Sequence, residues 1–346
     1  MKKTAFLLVA IFLLTGWVVT SNAAVKKFAQ AGMTFLKIDG SSRAAAMGSA
    51  SSAVLQDASA MFSNIAGLSY VKGVDVMVNQ TNWIADIKHL AIAAAYGHDT
   101  WGTFGISYIK MDYGQMQEAF PYDAAVTDLS LVQDAQIGDG YVLGRTFEPS
   151  EYALGLSYAR RVSNQFSFGA QIKIVHQDLF QSIMRHELLG DIKVDNQQTI
   201  RAFDFGTLYY TGWKDLRISM SARNFSQQGK YVTQRFELPL NFNIGTAMNI
   251  MSIFSDDTQQ KLTLAVDWQH PRDYSERVHV GAEYGLMDMI FFRAGYKFNY
   301  DVEGLTAGLG IDKELGNYGV RFSYAYGAFG DFFGSVNRIG LSVYMK

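Results

Sequence analysis

The stretch YALGLSYA at residues 152–159 alternates large apolar or aromatic side chains with small ones. Successive side chains of a β-strand point to opposite faces, so Tyr152, Leu154, Leu156 and Tyr158 share one face and the small residues between them share the other. Tyrosine rings settle where hydrocarbon meets water, and here a tyrosine lies at each end of the apolar face. This pattern is typical of a strand whose large face contacts lipid.

Similar alternation recurs along the chain and predicts about fourteen strands, each near the length that a tilted membrane strand needs. We therefore expect an all-β fold, a transmembrane antiparallel β-barrel of about fourteen strands. A soluble exported β-sandwich is the structural alternative. The predicted spans are 74–83, 88–97, 101–112, 150–161, 164–176, 199–211, 214–225, 239–250, 260–270, 276–285, 289–299, 304–313, 317–327 and 336–346.

The predicted connections alternate in length, as they do in a barrel with short periplasmic turns and longer external loops. The links after the third, fifth and seventh strands are long, at 113–149, 177–198 and 226–238, whereas those after the second, fourth and sixth span a few residues. A barrel of this kind predicts the cell outer membrane as the location. An even number of strands places the start and the end of the barrel on one side, and we expect both termini in the periplasm.

The start of the chain has the features of a secretory signal peptide, because Lys2 and Lys3 precede an apolar run that ends in small residues. We expect the signal peptide at 1–23, an N-terminal hatch or plug segment at 24–70 and the barrel at 71–346. Residues 29–70 lack strand alternation and are rich in small side chains. Such a segment suits the lumen of a barrel too wide to be filled by its own side chains, and a disordered leader is the alternative.

Composition excludes several classes of function. The chain has no cysteine and a net charge of −2, which becomes −4 without the two lysines of the signal peptide, so no basic surface for nucleic acid is expected. The histidines form no H-E-x-x-H pair, and no serine lies in a G-x-S-x-G elbow. We therefore predict no catalytic residues, no metal and no cofactor.

Two sets of residues are candidates for function. Polar side chains of both signs fall on the inward strand faces, where they either line a wet wall or form a latch between lumen arginines and the N-terminal segment. This set comprises Gln171, Lys173, Asp204, Arg217, Arg223, Asp267, Glu283, Arg293 and Arg321.

The second set lies in the longest predicted loop, 112–149, which is rich in acidic residues. This loop is either simply solvated, or bridged to lipid headgroups through divalent cations, or a docking surface for a partner, since exposed aromatic residues dominate binding hot spots. Its aromatic residues are Phe120, Tyr122, Tyr141 and Phe147.

Several short motifs carry a family resemblance. They are GSSRAAAMGSA at 40–50, DA at 57–58, NIAGL at 64–68, FDFG at 203–206, SARNFS at 221–226 and LPL at 238–240. In these motifs the chain resembles the PorV/PorQ family of outer-membrane proteins, whose fold is similar to that of the fourteen-stranded FadL-type fatty acid transporters with an N-terminal hatch. The resemblance identifies a hatch motif of Arg43, Met47, Gly48, Asp57, Asn64 and Gly67.

The sequence departs from the pattern at two places, with Ile65 where the hatch usually has proline and Lys346 where many barrels end on an aromatic residue. The resemblance implies that the protein is not an enzyme. PorV-like members act with the type IX secretion machinery and accompany its cargo, which implies a barrel that docks secreted cargo or a translocon. FadL-like relatives pass hydrophobic molecules through the hatch and a lateral opening, which implies the alternative, a channel for hydrophobic small molecules.

Overall fold

The computed structural model describes residues 31–121, 132, 134–186, 190–231, 234–254 and 259–346. Within these residues fourteen antiparallel strands close into one barrel, in which each strand pairs with its neighbours and the last pairs with the first. The strands are β1 Gly73–Asn82, β2 Lys88–His98, β3 Gly102–Asp112, β4 Ser150–Arg161, β5 Phe166–His186, β6 Gly190–Tyr210, β7 Arg217–Ser226, β8 Asn241–Asn249, β9 Gln260–Pro271, β10 Arg277–Leu286, β11 Ile290–Phe298, β12 Leu305–Leu315, β13 Tyr318–Ala328 and β14 Ser335–Met345.

The barrel turns its apolar side chains outward. In β4, Leu154 and Leu156 are 40% and 59% exposed, whereas Ala153 and Ala159 are buried against the interior. The same alternation holds in β11, where Phe292 faces outward. A soluble sandwich would bury the large face, so the sandwich alternative is wrong and the fold is that of an outer-membrane β-barrel. None of the helices formed by the described residues is long and apolar enough to cross a membrane.

The prediction of a long loop at 177–198 is wrong, because β5 and β6 continue as a paired ribbon beyond the apolar band. Their register runs from the Phe166–Tyr209 pair to the His186–Gly190 pair, with a bulge between Asp178 and Gln181. Outside the membrane the outward residues no longer need to be apolar. The alternation of hydrophobicity therefore stops while backbone pairing continues.

The two ends of the barrel differ. At the short-turn end β1 begins and β14 ends, with Val74 paired to Met345, and the longest connection there contains the helix Met251–Phe254. The long-loop end carries the β5–β6 ribbon, a hairpin of Gly229–Tyr231 with Gln234–Phe236, and the loop after β3. That loop folds into a three-stranded sheet of Met116–Pro121, Gln136–Ile137 and Tyr141–Phe147.

Residues 31–71 form the hatch, which lies inside the barrel as short helices: the 3-10 helices Thr34–Lys37, Ala58–Phe62 and Ile65–Tyr70 and the α-helix Ser42–Ala46. Short polar residues begin three of them, since Ser41, Asp57 and Asn64 each accept a hydrogen bond from a backbone N–H of the following turn. Small side chains let these turns pack closely against the wall.

The hatch crosses the lumen from one end to the other. Ala31 forms a parallel bridge with Glu237 at the long-loop end, whereas Val71 lies beside Gly97, near the short-turn end of β2. The first strand begins and the last strand ends at the same end of the barrel, as an even number of strands requires. The chain at residue 31 nevertheless lies at the opposite end from Met345, because the hatch spans the interior before β1 begins.

Candidate functional site: hatch and long-loop cavity

The hatch is seated on glycines of the inner wall. A Cβ atom at Gly206 would lie 1.9 Å from Oδ1 of Asn64, and one at Gly245 would lie 2.0 Å from Oγ of Ser52. Other inward glycines meet the hatch in the same way, namely Gly105, Gly169, Gly281, Gly295, Gly308 and Gly340. The two cavities described between hatch and wall measure about 20 and 10 Å³, which is room for about one water molecule each.

An ion-pair cluster joins the hatch to β10 and β11. Arg43 of the hatch donates two hydrogen bonds to the carboxylate of Glu283, at 2.8 and 2.6 Å. Arg293 donates to the same carboxylate at 2.6 Å. Two guanidinium groups therefore clamp one buried carboxylate, and the bidentate contact from Arg43 fixes the direction of the hatch helix.

A second cluster centres on Arg321 of β13. Its guanidinium lies 3.0 Å from Asp57 of the hatch and 2.7 Å from Asp75 of β1, with Asp312 at 3.3 Å. Burial on its own would raise the pKa of Asp57, but the guanidinium groups of Arg321 and Arg43 lower it, and the net result is a pKa below the usual range. Asp57 therefore stays charged at neutral pH and holds the hatch to two strands.

Asp267 of β9 anchors the hatch by accepting hydrogen bonds rather than by an ion pair. Its carboxylate accepts from the backbone N–H groups of Ser51 and Ser52 at 3.1 and 3.0 Å and from Oγ of Ser52 at 2.9 Å. Asn243 donates to it at 3.0 Å. Four donors around one buried carboxylate satisfy it without a cation.

The remaining hatch-motif residues lie in the same interior. Met47 is fully buried. Gly48 has a φ of 62°, and a Cβ atom at this position would lie too close to the backbone of Tyr296.

The amide of Asn64 donates to the carbonyl groups of Ser52 and Thr207. Gly67 packs against a hatch carbonyl.

The other predicted lumen residues also lie on the inner face. Lys173 pairs with Asp204 at 2.8 Å, and Gln171 donates to Ser107 at 2.7 Å. Arg223 donates to the carbonyl of Phe62 in the hatch. Arg217 lies near the short-turn end, 3.8 Å from Asp215.

Sequence reasoning missed several partners of the hatch. Asp75 and Asp312 complete the Arg321 cluster, Asn79 accepts from the backbone N–H of Ser42 at 2.9 Å, and Thr306 donates to the carbonyl of Ala46 at 3.0 Å. Strand alternation alone could have placed Asp75 and Asn79 inward, since they lie six and two residues before Thr81 on the same face. Which hatch atom each one meets has no signal in the sequence.

The structure places only part of the aromatic loop set. Phe147 stacks on Phe180 of the ribbon at 5.5 Å, and Arg145 lies over the same ring at 4.1 Å. Tyr141 is 46% exposed. The side chain of Phe120 and all of Tyr122 lie outside the described part of the chain. Phe147 therefore holds the loop sheet to the ribbon, and the docking role of the four aromatic residues stays a prediction.

The largest described cavity, about 750 Å³, lies at the long-loop end and is called here the long-loop cavity. A stacked pair, Tyr231 and Phe236 with ring centroids 5.1 Å apart, belongs to its wall. Arg272 pairs with Glu237 at 2.5 Å. The full lining is Ala31, Gly32, Met33, Thr34, Gln177, Leu179, Gln228, Tyr231, Gln234, Arg235, Phe236, Glu237, Leu238, Arg272 and Asp273.

The described residues contain no cluster of three or more His, Asp or Glu side chains that could hold a metal ion. The arrangement instead offers two things: a hatch fixed by charge at two places, and a large cavity above it.

Comparison with known proteins decides the family. The sequence profile described as type IX secretion system membrane protein PorP/SprF matches residues 141–330, which is more than half of the chain. The chain belongs to the PorP/SprF family. No curated protein matches the sequence. The PorV/PorQ resemblance is thus confirmed only at the coarser level of a type IX secretion system membrane protein, and the finer assignment stays a prediction.

Solved structures share the fold of this PorP/SprF protein. The toluene transporter TbuX of Ralstonia pickettii has a TM-score of 0.53 at 14% identity, covering 88% of this chain and 97% of its own. The toluene transporter TodX of Pseudomonas putida has 0.53 at 11%, covering 92% and 98%. A FadL homologue of Pseudomonas aeruginosa has 0.52 at 12%, covering 93% and 99%. At such identities the likeness is one of fold: a FadL-like barrel with an N-terminal segment inside it.

Proposed function

We propose that this PorP/SprF protein is a non-catalytic docking barrel of type IX secretion, which holds secreted cargo or a translocon at the long-loop end. In this proposal the long-loop end faces outward and the short-turn end faces the periplasm. The observation that carries the proposal is the contrast between the two spaces: about 20 and 10 Å³ beside the hatch against about 750 Å³ at the long-loop end. Small described cavities beside the hatch, below a wide mouth, favour binding over passage.

The test is crosslinking and purification from the native membrane. A variant whose loop 117–146 is replaced by a short Gly-Ser linker keeps β3 and β4 intact, since the loop sheet closes at the Met116–Phe147 pair. We expect it to lose the secretion component or cargo recovered with the unaltered barrel, and to lose secretion. Replacement of Gly330–Phe333 at the same end is the matched control.

Migration before and after boiling in detergent checks that both variants form barrels. Recovery of no secretion component or cargo with the unaltered protein would refute the docking proposal, and full secretion without 117–146 would refute docking through this loop.

A channel for hydrophobic small molecules is the second candidate. It is favoured by the similarity of the fold to that of toluene transporters and by a hatch held through ion pairs, which can open without breaking the barrel. It predicts that the reconstituted protein binds a fatty acid or toluene and that removing residues 31–70 produces an open pore. Absence of both ligand binding and any change in conductance would exclude it.

A further inference from the structure

One wall of the long-loop cavity is a strand edge. Five consecutive residues, 234–238, border the cavity. Because side chains alternate between the faces of a strand, a face can be lined only by every second residue. A row of consecutive lining residues is therefore typical of a strand that borders a cavity with its edge, as Gln234–Phe236 and its continuation do.

The hydrogen-bond pattern shows which backbone groups point there. The other edge of this strand pairs with Gly229–Tyr231, in the register Gly229–Phe236, Lys230–Arg235 and Tyr231–Gln234. On the cavity side, the backbone N–H of Gly32 donates to the carbonyl of Glu237 at 2.9 Å. Backbone groups of alternate residues point to the same edge. Arg235, two residues before Glu237, therefore directs its N–H and C=O into the cavity.

Among the residues that the structure describes, this edge is paired at one point. Within the described residues, the parallel bridge from Ala31 to Glu237 is isolated and no further strand continues it. The bridge shows that a chain can pair with this edge at Glu237, where Ala31 and Gly32 meet it. The cavity extends that site toward Arg235 and Gln234.

The side chains around the edge suit a polypeptide. Asp273 is 2% exposed, and its Oδ1 has no described hydrogen-bond donor, while Lys37 pairs with its other oxygen. A buried acceptor of this kind calls for a donor such as a peptide N–H. The guanidinium of Arg235 is exposed and has no ion pair with any described residue, so it is available to an acidic side chain.

We infer that the long-loop cavity binds an extended segment of a secreted polypeptide, which adds as a strand to the edge of Gln234–Phe236 that no described strand occupies. Main-chain hydrogen bonds to Arg235 supply the affinity, and the pocket between Phe236 and Asp273 selects the side chains. The inference rests on the docking function proposed above and names both the site and the form of the bound partner.

The experiment uses the full-length protein in its native membrane, with a photo-crosslinking amino acid at Gln234. The matched control carries the same group at Gln197, an exposed glutamine of the β5–β6 ribbon outside the cavity. We expect polypeptide adducts at Gln234 and at least about fivefold fewer at Gln197, with one recurring segment of secreted protein identified by mass spectrometry. Equal capture at the two positions would overturn the inference. If cargo is nevertheless recovered when the barrel is purified, the docking function proposed above still holds and only its placement in this cavity fails.

Two substitutions at Arg235 separate strand addition from side-chain contact. Arg235→Pro removes the N–H that faces the cavity and leaves the bonds on the opposite edge in place. Arg235→Ala retains that N–H and removes the guanidinium. With the probe at Gln234, we expect capture to fall about fivefold or more for the proline variant relative to the alanine variant, as for a lost main-chain hydrogen bond.

Equal capture by the two variants would refute strand addition. An adduct that resists protease and carries carbohydrate would show that a glycan occupies the cavity and would also overturn the inference.

Discussion

Replacing Arg321 with alanine should release the hatch while leaving the barrel closed. The guanidinium is the shared partner of Asp57 and Asp75, at 3.0 and 2.7 Å. Removing one partner of a buried ion pair costs about 3–5 kcal/mol, because the remaining charge is uncompensated. The Arg321 side chain is 24% exposed, so water can reach the carboxylates. We therefore expect the lower end, about 3 kcal/mol.

The expected effect is a shift in the hatch equilibrium. A change of about 3 kcal/mol raises the fraction of molecules with a released hatch by about 150-fold. Hydrogen exchange of peptides from 38–62, measured by mass spectrometry in lipid nanodiscs, reports this directly. The strand peptides should keep their protection, since the backbone ladder of β13 has neighbours on both sides. Arg160→Ala, on the exposed outer face of β4, is the matched control.

A double-mutant cycle identifies the cause. Asp57→Asn should cost less in the Arg321→Ala background than alone, with a coupling of about 1–2 kcal/mol for groups in direct contact. If hatch exchange in Arg321→Ala stays within about 0.5 kcal/mol of the unaltered protein, or if the two substitutions are additive, the ion-pair latch does not hold the hatch and the reasoning fails.

Three further predictions follow from the same interior. Gly206→Ala should displace the hatch and raise single-channel conductance, whereas Gly304→Ala, whose Cβ would meet nothing closer than 3.6 Å, should not. The lowered pKa of Asp57 means that its contribution is complete above the ordinary carboxyl pKa of about 3.9 and is lost as the pH falls through the lowered value. The difference in hatch exchange between the unaltered protein and Asp57→Asn should therefore be constant from about pH 5 to 8 and shrink only in stronger acid. Phe180→Ala removes the ring on which Phe147 stacks, and limited proteolysis should cut 117–146 faster, with a loss of about 1 kcal/mol; unchanged cleavage would contradict it.

Much of the barrel is readable from the sequence because one physical rule governs it. Lipid on one side and the interior on the other impose a period of two, and that period predicts strands such as Ser150–Arg161 and Ile290–Phe298 within a few residues. The rule ends where lipid ends. The ribbon beyond the apolar band continues the backbone pairing of the wall, yet its sequence mixes polar and apolar residues without a sustained period of two, so 177–198 looks like a loop.

The sequence predicts which residues belong to the site, but not which of them contact one another. Alternation places Arg321 and Glu283 inward, and the small residues at 40–68 indicate a segment that packs within. The pairing of Arg43 with Glu283 joins residues 240 positions apart, and it depends on how the hatch turns inside the barrel. The long-loop cavity is formed by four separate stretches of chain, so no local sequence pattern predicts it.

The inward glycines bear on how wall and hatch fold. A glycine within a strand is less favourable than alanine by about 0.5–1 kcal/mol, since it gives up more conformational freedom and offers no side chain to pack. An empty barrel with bare glycines at Gly206, Gly245 and Gly295 would have a loosened wall with water against its backbone. The hatch supplies the missing surface, so wall and hatch form one cooperative unit, and opening the lumen also softens the sheet that encloses it.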